Sequence, residues 1–317
     1  MVDSIRGDEL IARYKKNYAI PAQAKITEQM ILDHWEFEKQ LRRELLESTP
    51  ETRWEVFERC YTRLYREIEW MNRLVGQSNT ILPAERYKTW VETIGSPPQK
   101  IYEIGSGTGS MIVYLAECGF ECKATEITRE RGEKHVTFSH PGLSWGISDG
   151  VHIDLVEPPE TYDVVVSSHV IEHLHPADLA AHLRGVYIIL SKNGRYIFDT
   201  PHCYTGPHDI SRVFKWDKPE GIHLKEYTYH ELTEVIKNTG YRSVYHPVTH
   251  KYRRLLSYIG INKQEQIRAF GIFSLNLMLV VEKILLVIPH HTLRNLFVNV
   301  LKKLLIFRDN IFLVAQK

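Results

Sequence analysis

A strand-forming segment that runs into three closely spaced glycines constrains the fold of this chain more than any other feature. Ile101, Tyr102 and Ile104 favour a β-strand, and glycines follow at positions 105, 107 and 109. The apolar residues 111–116 then favour a helix. A strand that turns at once into a helix directs backbone N–H groups and the positive helix end at whatever binds above the turn. Because glycine allows close approach to that backbone, the segment predicts a ligand-binding turn, although an ordinary tight turn also uses glycine.

The spacing of these glycines indicates which kind of ligand the turn could bind. The dinucleotide fingerprint is G-x-G-x-x-G, whereas here the glycines are Gly105, Gly107 and Gly109, and Ser110 stands where that fingerprint has its last glycine. Glu103 lies inside the strand, two residues before the first glycine. The resulting E-x-G-x-G-x-G pattern resembles the first motif of class I S-adenosylmethionine-dependent methyltransferases. The resemblance covers roughly residues 100–250, with a last strand at 310–316. It implies that the methionine part of S-adenosylmethionine is held by Glu103, Gly105, Ser106, Gly107 and Gly109.

Two further acids follow predicted strands. Glu126 ends the strand 120–126, 21 residues after Gly105, and a carboxylate there can accept both ribose hydroxyls. We therefore predict that Glu126 and Ile127 bind the ribose; a solvated glutamate at a strand end is the alternative. After the third strand, 143–147, the resemblance implies that Asp149 and Gly150 bind the adenine, although S-D-G is also a common turn.

Strand and helix patterns alternate from residue 100 to residue 200, which predicts a parallel sheet with helices on both faces. With the resemblance, the expected fold class is α/β, with a doubly wound, seven-stranded, mostly parallel Rossmann-like sheet. The expected divisions are a helical N-terminal extension at 1–98, the cofactor-binding core at 99–250, a helical insertion at 251–309 and the last strand at 310–317. An aromatic stripe in the extension is expected to pack in a core, with a pocket lining as the alternative: Trp54, Phe57, Tyr61, Leu64, Tyr65, Ile68 and Met71.

Histidines follow the fourth strand, 162–168, beside the expected position of the transferred methyl group. Ser168 and His169 are predicted to contact the cofactor, and His169 also to act as a general base or to bind the acceptor. The H-x-x-E-H spacing of His169, Glu172 and His173 resembles the E-x-x-E-H metal ligands of small-RNA 2′-O-methyltransferases and some ubiquinone-biosynthesis O-methyltransferases, with His223 as the nearest fourth ligand. Because His169 replaces a glutamate of those families, such a site would favour zinc, iron or manganese. In metal-free relatives the histidine packs or binds substrate.

The long segment 200–226 contains His208 next to Asp209, a second candidate for a base with its orienting carboxylate. A loop of this length inside a compact domain is usually functional or disordered. The catalytic candidates are therefore His169, His173, His208 and His223, and a solvated loop histidine is the alternative for His208.

The net charge, the cysteine content and the first residues of the chain limit the kinds of function that the protein could have. A net charge of +1 disfavours a nucleic-acid partner. The four cysteines lack paired C-x-x-C spacing, which favours a reduced, cytoplasmic setting. The first residues contain no apolar run that would indicate a signal peptide.

The expected activity is methylation of a hydroxyl on a small or medium acceptor such as a sugar, a glycan, or a lipid-linked or secondary metabolite. C- or N-methylation uses the same cofactor pocket. Two further classes of protein are compatible with a glycine turn of this kind: a nicotinamide-dependent oxidoreductase, and a non-catalytic scaffold on the same fold.

The insertion contains two predicted apolar helices, 275–288 and 293–307, and neither contains enough unbroken apolar residues for a membrane span. Leucines beside Lys302, Lys303 and Arg308 allow a helix that lies on a membrane surface. Packing on the domain, or on a second subunit in a homodimer, is the alternative for 275–307.

Overall fold

A computed structural model describes residues 5–75, 81–129, 139–288, 291–303 and 307–317, without the side chains of Asn72, His291, Thr292 and Asn295. The sequence also predicts a helix over 128–139, and this segment lies almost entirely outside the described residues. The remaining elements form one seven-stranded sheet with helices packed around it.

The strands are β1 (Lys100–Ile104), β2 (Glu121–Glu126), β3 (Leu143–Ile147), β4 (Tyr162–Ser168), β5 (Leu190–Pro201), β6 (Ser243–Tyr245) and β7 (Asn310–Gln316). Their order in the sheet is β3-β2-β1-β4-β5-β7-β6. The first five pair in parallel, and β7 is antiparallel to both of its neighbours. This confirms the predicted doubly wound, mostly parallel α/β sheet and the strand expected at 310–316.

The helices are α1 (Gly7–Asn17), α2 (Glu28–Leu46), α3 (Arg53–Glu67), α4 (Glu69–Leu74), α5 (Pro83–Arg86), α6 (Lys88–Ile94), α7 (Ser110–Glu117), α8 (Leu179–Ile189), α9 (Tyr229–Thr239), α10 (His250–Tyr258), α11 (Gln264–Val287) and α12 (His291–Lys303). The sequence pattern of residues 84–94 predicts a single helix; in the structure it is interrupted at Tyr87, which separates α5 from α6. Residues 191–194, Ser-Lys-Asn-Gly, predict a turn; in the structure they are part of β5, where a register shift against β4 accommodates Asn193 in a left-handed conformation.

The core strands are buried on both faces because helices cover both sides of the sheet. Val164, Val165 and Val166 of β4 have no exposed surface. The N-terminal helices α1 to α4 form their own hydrophobic core, which Ile210, Phe214 and neighbouring residues of the segment after β5 complete. The N-terminal helices are thereby fixed to the loop that follows β5, on the side where the parallel strands end.

The region between β6 and β7 contains α10, α11 and α12. Contrary to expectation, α11 is long and apolar enough to cross a membrane by length and composition, with a mean hydropathy of 2.0 over its most apolar window. The helix begins at Gln264, eleven residues before the predicted start at 275, and most of residues 264–269 are good helix formers. One side of α11 packs closely on the strand edge, because a Cβ atom on Gly271 would lie 2.4 Å from the carbonyl oxygen of His246.

Candidate active site

A cavity of about 620 Å³ lies over the carboxyl ends of the first four strands, where ligands of open parallel sheets bind. Its lining contains every residue predicted to bind the cofactor except Gly109. The lining residues from that prediction are Glu103, Gly105, Ser106, Gly107, Glu126, Ile127, Asp149, Gly150, Ser168 and His169. The structure therefore brings these residues together at one site.

The three glycines of the turn have left-handed backbone conformations. Gly105, Gly107 and Gly109 have φ angles of +66°, +59° and +75°, in the left-handed region that side chains disfavour. A Cβ atom on Gly105 would also lie 2.6 Å from Val170 Cγ2. Gly109 precedes the first residue of α7, so the N-terminus of that helix begins directly after the turn. The turn is thus shaped to let a ligand reach the backbone.

Glu103 is a buried acid with an unfilled bonding position. Its side-chain Oε2 makes no hydrogen bond with any described residue, although Glu103 is only 3% exposed. Burial, with the charge of Glu126 nearby, raises the pKa of Glu103 to about 8. A buried carboxyl without a partner is costly unless a ligand supplies one. The ammonium group of the methionine part of S-adenosylmethionine would fit this position.

Glu126 is held against the glycine turn. The backbone N–H of Gly107 donates to Glu126 Oε1 at 2.7 Å, and the N–H of Ile127 donates to Oε2 at 3.2 Å. These bonds orient the carboxylate at the end of β2, and each carboxylate oxygen can accept more than one hydrogen bond. The arrangement is compatible with acceptance of two ribose hydroxyls.

Asp149 also lines the cavity, but its carboxylate oxygens accept hydrogen bonds from residues of the same turn. Oδ1 accepts hydrogen bonds from the N–H groups of Val151 and His152, both at 2.8 Å, and Oδ2 lies 2.6 Å from His152 Nδ1. Asp149 therefore shapes the turn after β3 and retains lone pairs towards the cavity. Adenine binding by Asp149 and Gly150 remains a prediction.

His169 follows β4 and lines the cavity together with residues of the glycine turn. It has a left-handed φ angle of +55°, and its side chain is 49% exposed. Its Nδ1 donates to Glu172 Oε1 at 3.2 Å, and Glu172 Oε2 accepts from the Thr200 hydroxyl at 2.8 Å. Burial opposes protonation of His169, but the Glu172 hydrogen bond and charge, with Asp199, raise its pKa to about 9. The hydrogen bond to the buried Glu172 occupies Nδ1 of the His169 ring. Nε2 is therefore the ring nitrogen that faces away from Glu172.

Three of the four predicted metal ligands converge. One potential ligand atom from each of Glu172, His173 and His223 lies within 4.8 Å of the others. His169 is not in this group, because its ring nitrogens face Glu172 and Asn310. One carboxylate and two imidazoles suit zinc, iron or manganese, and ligand distances near 2.1 Å would require these side chains to move closer together. The metal site therefore remains a prediction, as does its alternative, a histidine that packs or binds substrate.

His208 and His223 belong to a buried network behind the cavity rather than to its lining. Glu226 Oε2 lies 3.2 Å from His208 Nδ1, and Glu226 Oε1 accepts from His223 Nδ1 at 2.9 Å. The predicted pairing of His208 with Asp209 is wrong: the Asp209 carboxylate accepts from the backbone N–H groups of Ser211 and Gly221 instead. Residues adjacent in an irregular loop diverge, whereas Glu226, 18 residues away, folds back onto His208.

Several lining residues were not predicted as site residues, and they come from the N-terminal helices. Phe57, Tyr61, Leu64 and Tyr65 of α3 line the cavity, and three of these four also belong to the buried N-terminal core. Both interpretations of the aromatic stripe are therefore correct. The Tyr61 ring packs edge-on against His173 at a centroid distance of 6.1 Å, and the Tyr61 hydroxyl is buried without a hydrogen-bond partner among the described residues.

The cavity and its acids can be compared with known proteins. Residues 80–246 match the family model of a methyltransferase domain. No curated protein matches the chain.

Among solved structures, the chain is similar to an S-adenosylmethionine-dependent methyltransferase from Archaeoglobus fulgidus, with 19% identity, a TM-score of 0.46, and 74% of this chain and 92% of that chain covered. A methyltransferase from Mesorhizobium loti has 12% identity and a TM-score of 0.44, covering 74% of this chain and 98% of that one. Phosphoethanolamine N-methyltransferase 2 from Haemonchus contortus, in complex with S-adenosylmethionine, has 16% identity and a TM-score of 0.42, covering 70% of this chain and 49% of that one. Similarity at this level carries no argument about the acceptor.

The matched domain spans more than half of the chain and contains β1 to β6, the glycine turn and the acids at the strand ends. The buried Oε2 of Glu103 and the open backbone of the turn fit the cofactor of that family. The chain belongs to the class I S-adenosylmethionine-dependent methyltransferases, and S-adenosylmethionine is its cofactor.

Proposed function

We propose that this methyltransferase transfers the methyl group to a hydroxyl oxygen of a small or medium acceptor, such as a sugar, a glycan, or a lipid-linked or secondary metabolite. The observation that carries the proposal is the Glu172–His169 pair at the glycine turn. A hydroxyl has a pKa far above 7, so its oxygen needs a group that removes the proton. An imidazole oriented by a buried carboxylate is suited to that task.

When bound, S-adenosylmethionine would supply a methyl group on a sulfonium: an O–CH3 bond to the acceptor would form as the S–CH3 bond breaks, and S-adenosylhomocysteine would leave. His169 takes the proton of the acceptor at Nε2, while Glu172 at Nδ1 stabilises the resulting positive ring. In this structure the Nδ2 atom of Asn310 lies 3.1 Å from His169 Nε2, in the position that an acceptor hydroxyl would take. Asp199 Oδ2, 4.0 Å from the same nitrogen, adds a negative charge that favours the protonated ring. Because the pKa of His169 is raised to about 9, the unprotonated fraction of this base increases as pH rises towards 9.

Two neighbouring side chains that line the cavity, His173 and Tyr61, support a polar but uncharged acceptor. Burial and the neighbouring His223 lower the pKa of His173 to about 4, so that this ring is neutral at pH 7. The buried Tyr61 hydroxyl beside it has an unfilled hydrogen-bonding capacity. A neutral imidazole and a phenol can each donate to or accept from a hydroxylated molecule. Nucleic acid remains an unfavoured acceptor, because the net charge of the chain is only +1.

The proposal is tested by the position of the transferred methyl group. Purified protein is incubated with S-adenosylmethionine carrying a ¹³C methyl group and with pairs of acceptors that differ only in a hydroxyl or an amine. We expect label in the hydroxylated member, with a product carbon shift typical of an O-methyl group. Label on nitrogen or carbon in the preferred product would overturn the assignment and favour N- or C-methylation.

A further inference from the structure

The outward side of α11 is an apolar stripe. Phe273, Leu277, Val280, Ile284 and Val287 are 65%, 47%, 54%, 61% and 81% exposed. Their spacing alternates between four and three residues, which places them on one face of the helix. Large contiguous apolar patches on a protein surface usually mark an interaction site.

The inward side of the same helix is fixed to the domain. Leu275, Met278 and Leu285 are buried in the core that also contains β5 and β7 residues. Glu282, only 1% exposed, accepts hydrogen bonds from the backbone N–H groups of Tyr229 and His230 at 2.7 and 2.8 Å. Because the buried carboxylate of Glu282 fixes this face to the domain, α11 lies along the protein surface.

Helix α12 extends the apolar surface. Leu293, Leu296, Phe297 and Val300 are 44%, 60%, 49% and 48% exposed, whereas Val298 is buried in the same core as the inner face of α11. Both helices therefore bury one side in a common core and expose apolar side chains on the other. The exposed apolar residues of α11 and α12 are together called the α11–α12 face.

Charge around this face is strongly one-sided. Residues 250–308 contain ten lysines and arginines and two glutamates, in a chain whose net charge is +1. One of the two glutamates is the buried Glu282, so Glu265 is the acid that this segment exposes among its described residues. Exposed or half-buried cations include Arg254, Lys283, Lys302, Lys303 and Arg308. Long basic side chains beside an apolar surface can extend their charged ends to phosphate groups while their methylene stems contact the apolar surface.

We propose that the α11–α12 face docks on the surface of an anionic lipid bilayer. An apolar helix face bordered by lysine and arginine is the combination that binds the interface of such membranes. A second copy of the chain fits less well, because a symmetric contact would bring this basic region against the same region of the partner. The proposal concerns location only and does not depend on which acceptor is methylated.

The test is flotation of the purified protein with vesicles of phosphatidylcholine alone or with about one third phosphatidylserine. We expect the protein to float with the anionic vesicles and to be released as NaCl rises from about 50 mM to about 500 mM, because salt screens the attraction. Replacement of Phe273, Leu277 and Ile284 by serine should weaken binding about tenfold or more. The charge reversals Arg254→Glu, Lys283→Glu and Lys303→Glu should weaken it similarly.

The matched control replaces three exposed apolar residues elsewhere, Leu82, Leu155 and Val156, by serine. This control should float as the wild type does, and all variants should bind S-adenosylhomocysteine normally, which shows that they are folded. Absence of wild-type flotation would overturn the proposal, as would equal flotation of the Phe273, Leu277 and Ile284 variant. A concentration-dependent dimer that this variant abolishes, without vesicle binding, would assign the face to a second copy instead.

Discussion

Asn310, the first residue of β7, lies 3.1 Å from His169 through its Nδ2 atom, although the two are 141 residues apart in the chain. The contact forms because β7 runs antiparallel to β5 and therefore begins at the sheet edge where β4 ends. Asp199 pairs with Ser168 on β4 and with Phe312 on β7 in the sheet register. Its side chain contacts both His169 and Asn310. The last strand thus contributes directly to the position of the candidate base.

Replacement of His169 by glutamine should lower kcat by about 10²- to 10⁴-fold, the usual contribution of a general base. The affinity for S-adenosylhomocysteine should change much less, since the glycine turn and Glu126 remain. Initial rates and calorimetric titration measure the two effects. Asn310→Ala is the companion variant, which should retain most of the rate because it frees Nε2 without removing the ring. If both variants lose cofactor binding equally, His169 shapes the pocket and is not the base.

Replacement of Glu126 by alanine should weaken the binding of S-adenosylhomocysteine about 10- to 100-fold, because the loss of one hydrogen bond to a charged acceptor costs about 1.5–3 kcal/mol. Glu121→Ala is a matched control on the same strand: its side chain is 65% exposed and pairs with Lys100 at 3.6 Å. Calorimetry should show unchanged affinity for that control. Unchanged affinity for Glu126→Ala would remove this residue from the ribose site.

The contribution of Glu103 to the free energy of unfolding of the cofactor-free protein should fall as pH rises from about 4.5 towards 8. In this window Glu103, with its pKa raised to about 8, keeps its proton in the folded state, while the unfolded chain has lost it. Folding therefore binds a proton, and removal of protons opposes it. Glu103→Gln should remove this part of the pH dependence and be more stable than the wild type by roughly 3–5 kcal/mol near pH 9, with little difference near pH 4.

Urea titrations at several pH values measure this difference. The same variant should bind S-adenosylhomocysteine more weakly, because glutamine cannot carry the charge that pairs with an ammonium group. Parallel pH curves for the two proteins would show that Glu103 titrates normally and has no raised pKa.

Replacement of Glu282 by alanine should destabilise the fold by roughly 3 kcal/mol, because it leaves buried N–H groups of α9 and the ring of His202 without their acceptor. Glu265→Ala, an exposed position on the same helix, should change stability by less than about 0.5 kcal/mol. Urea unfolding compares the two. Equal effects would mean that the Glu282 contacts contribute little.

The sequence predicted the parts of the site that depend on local pattern. Glu126 could be found because it ends a strand, and parallel strands present their carboxyl ends at one edge. Glu103 and Asp149 were indicated by the resemblance to a known family, which depends on short local motifs. These features need no knowledge of how distant segments pack.

The features that could not be predicted depend on contacts between distant segments. The partner of His208 is Glu226 rather than the adjacent Asp209, because the irregular segment after β5 folds back on itself. Glu282 resembles an interruption of an apolar helix in the sequence, yet it caps the N-terminus of α9. Nothing in the sequence marks Asn310 as a site residue, because its contact with His169 depends on the direction and register of β7.

The direction of β7 also fixes where the apolar helices sit. Since β6 runs with the parallel strands and β7 against them, the chain leaves the sheet towards the catalytic edge and returns to it there. Arg294 of α12 stacks on Tyr204, three residues after β5, and Lys302 pairs with Asp309, the residue before Asn310. An acceptor whose hydrophobic tail stays in a lipid leaflet would therefore approach the methyl donor from the edge of the sheet at which β6 ends and β7 begins.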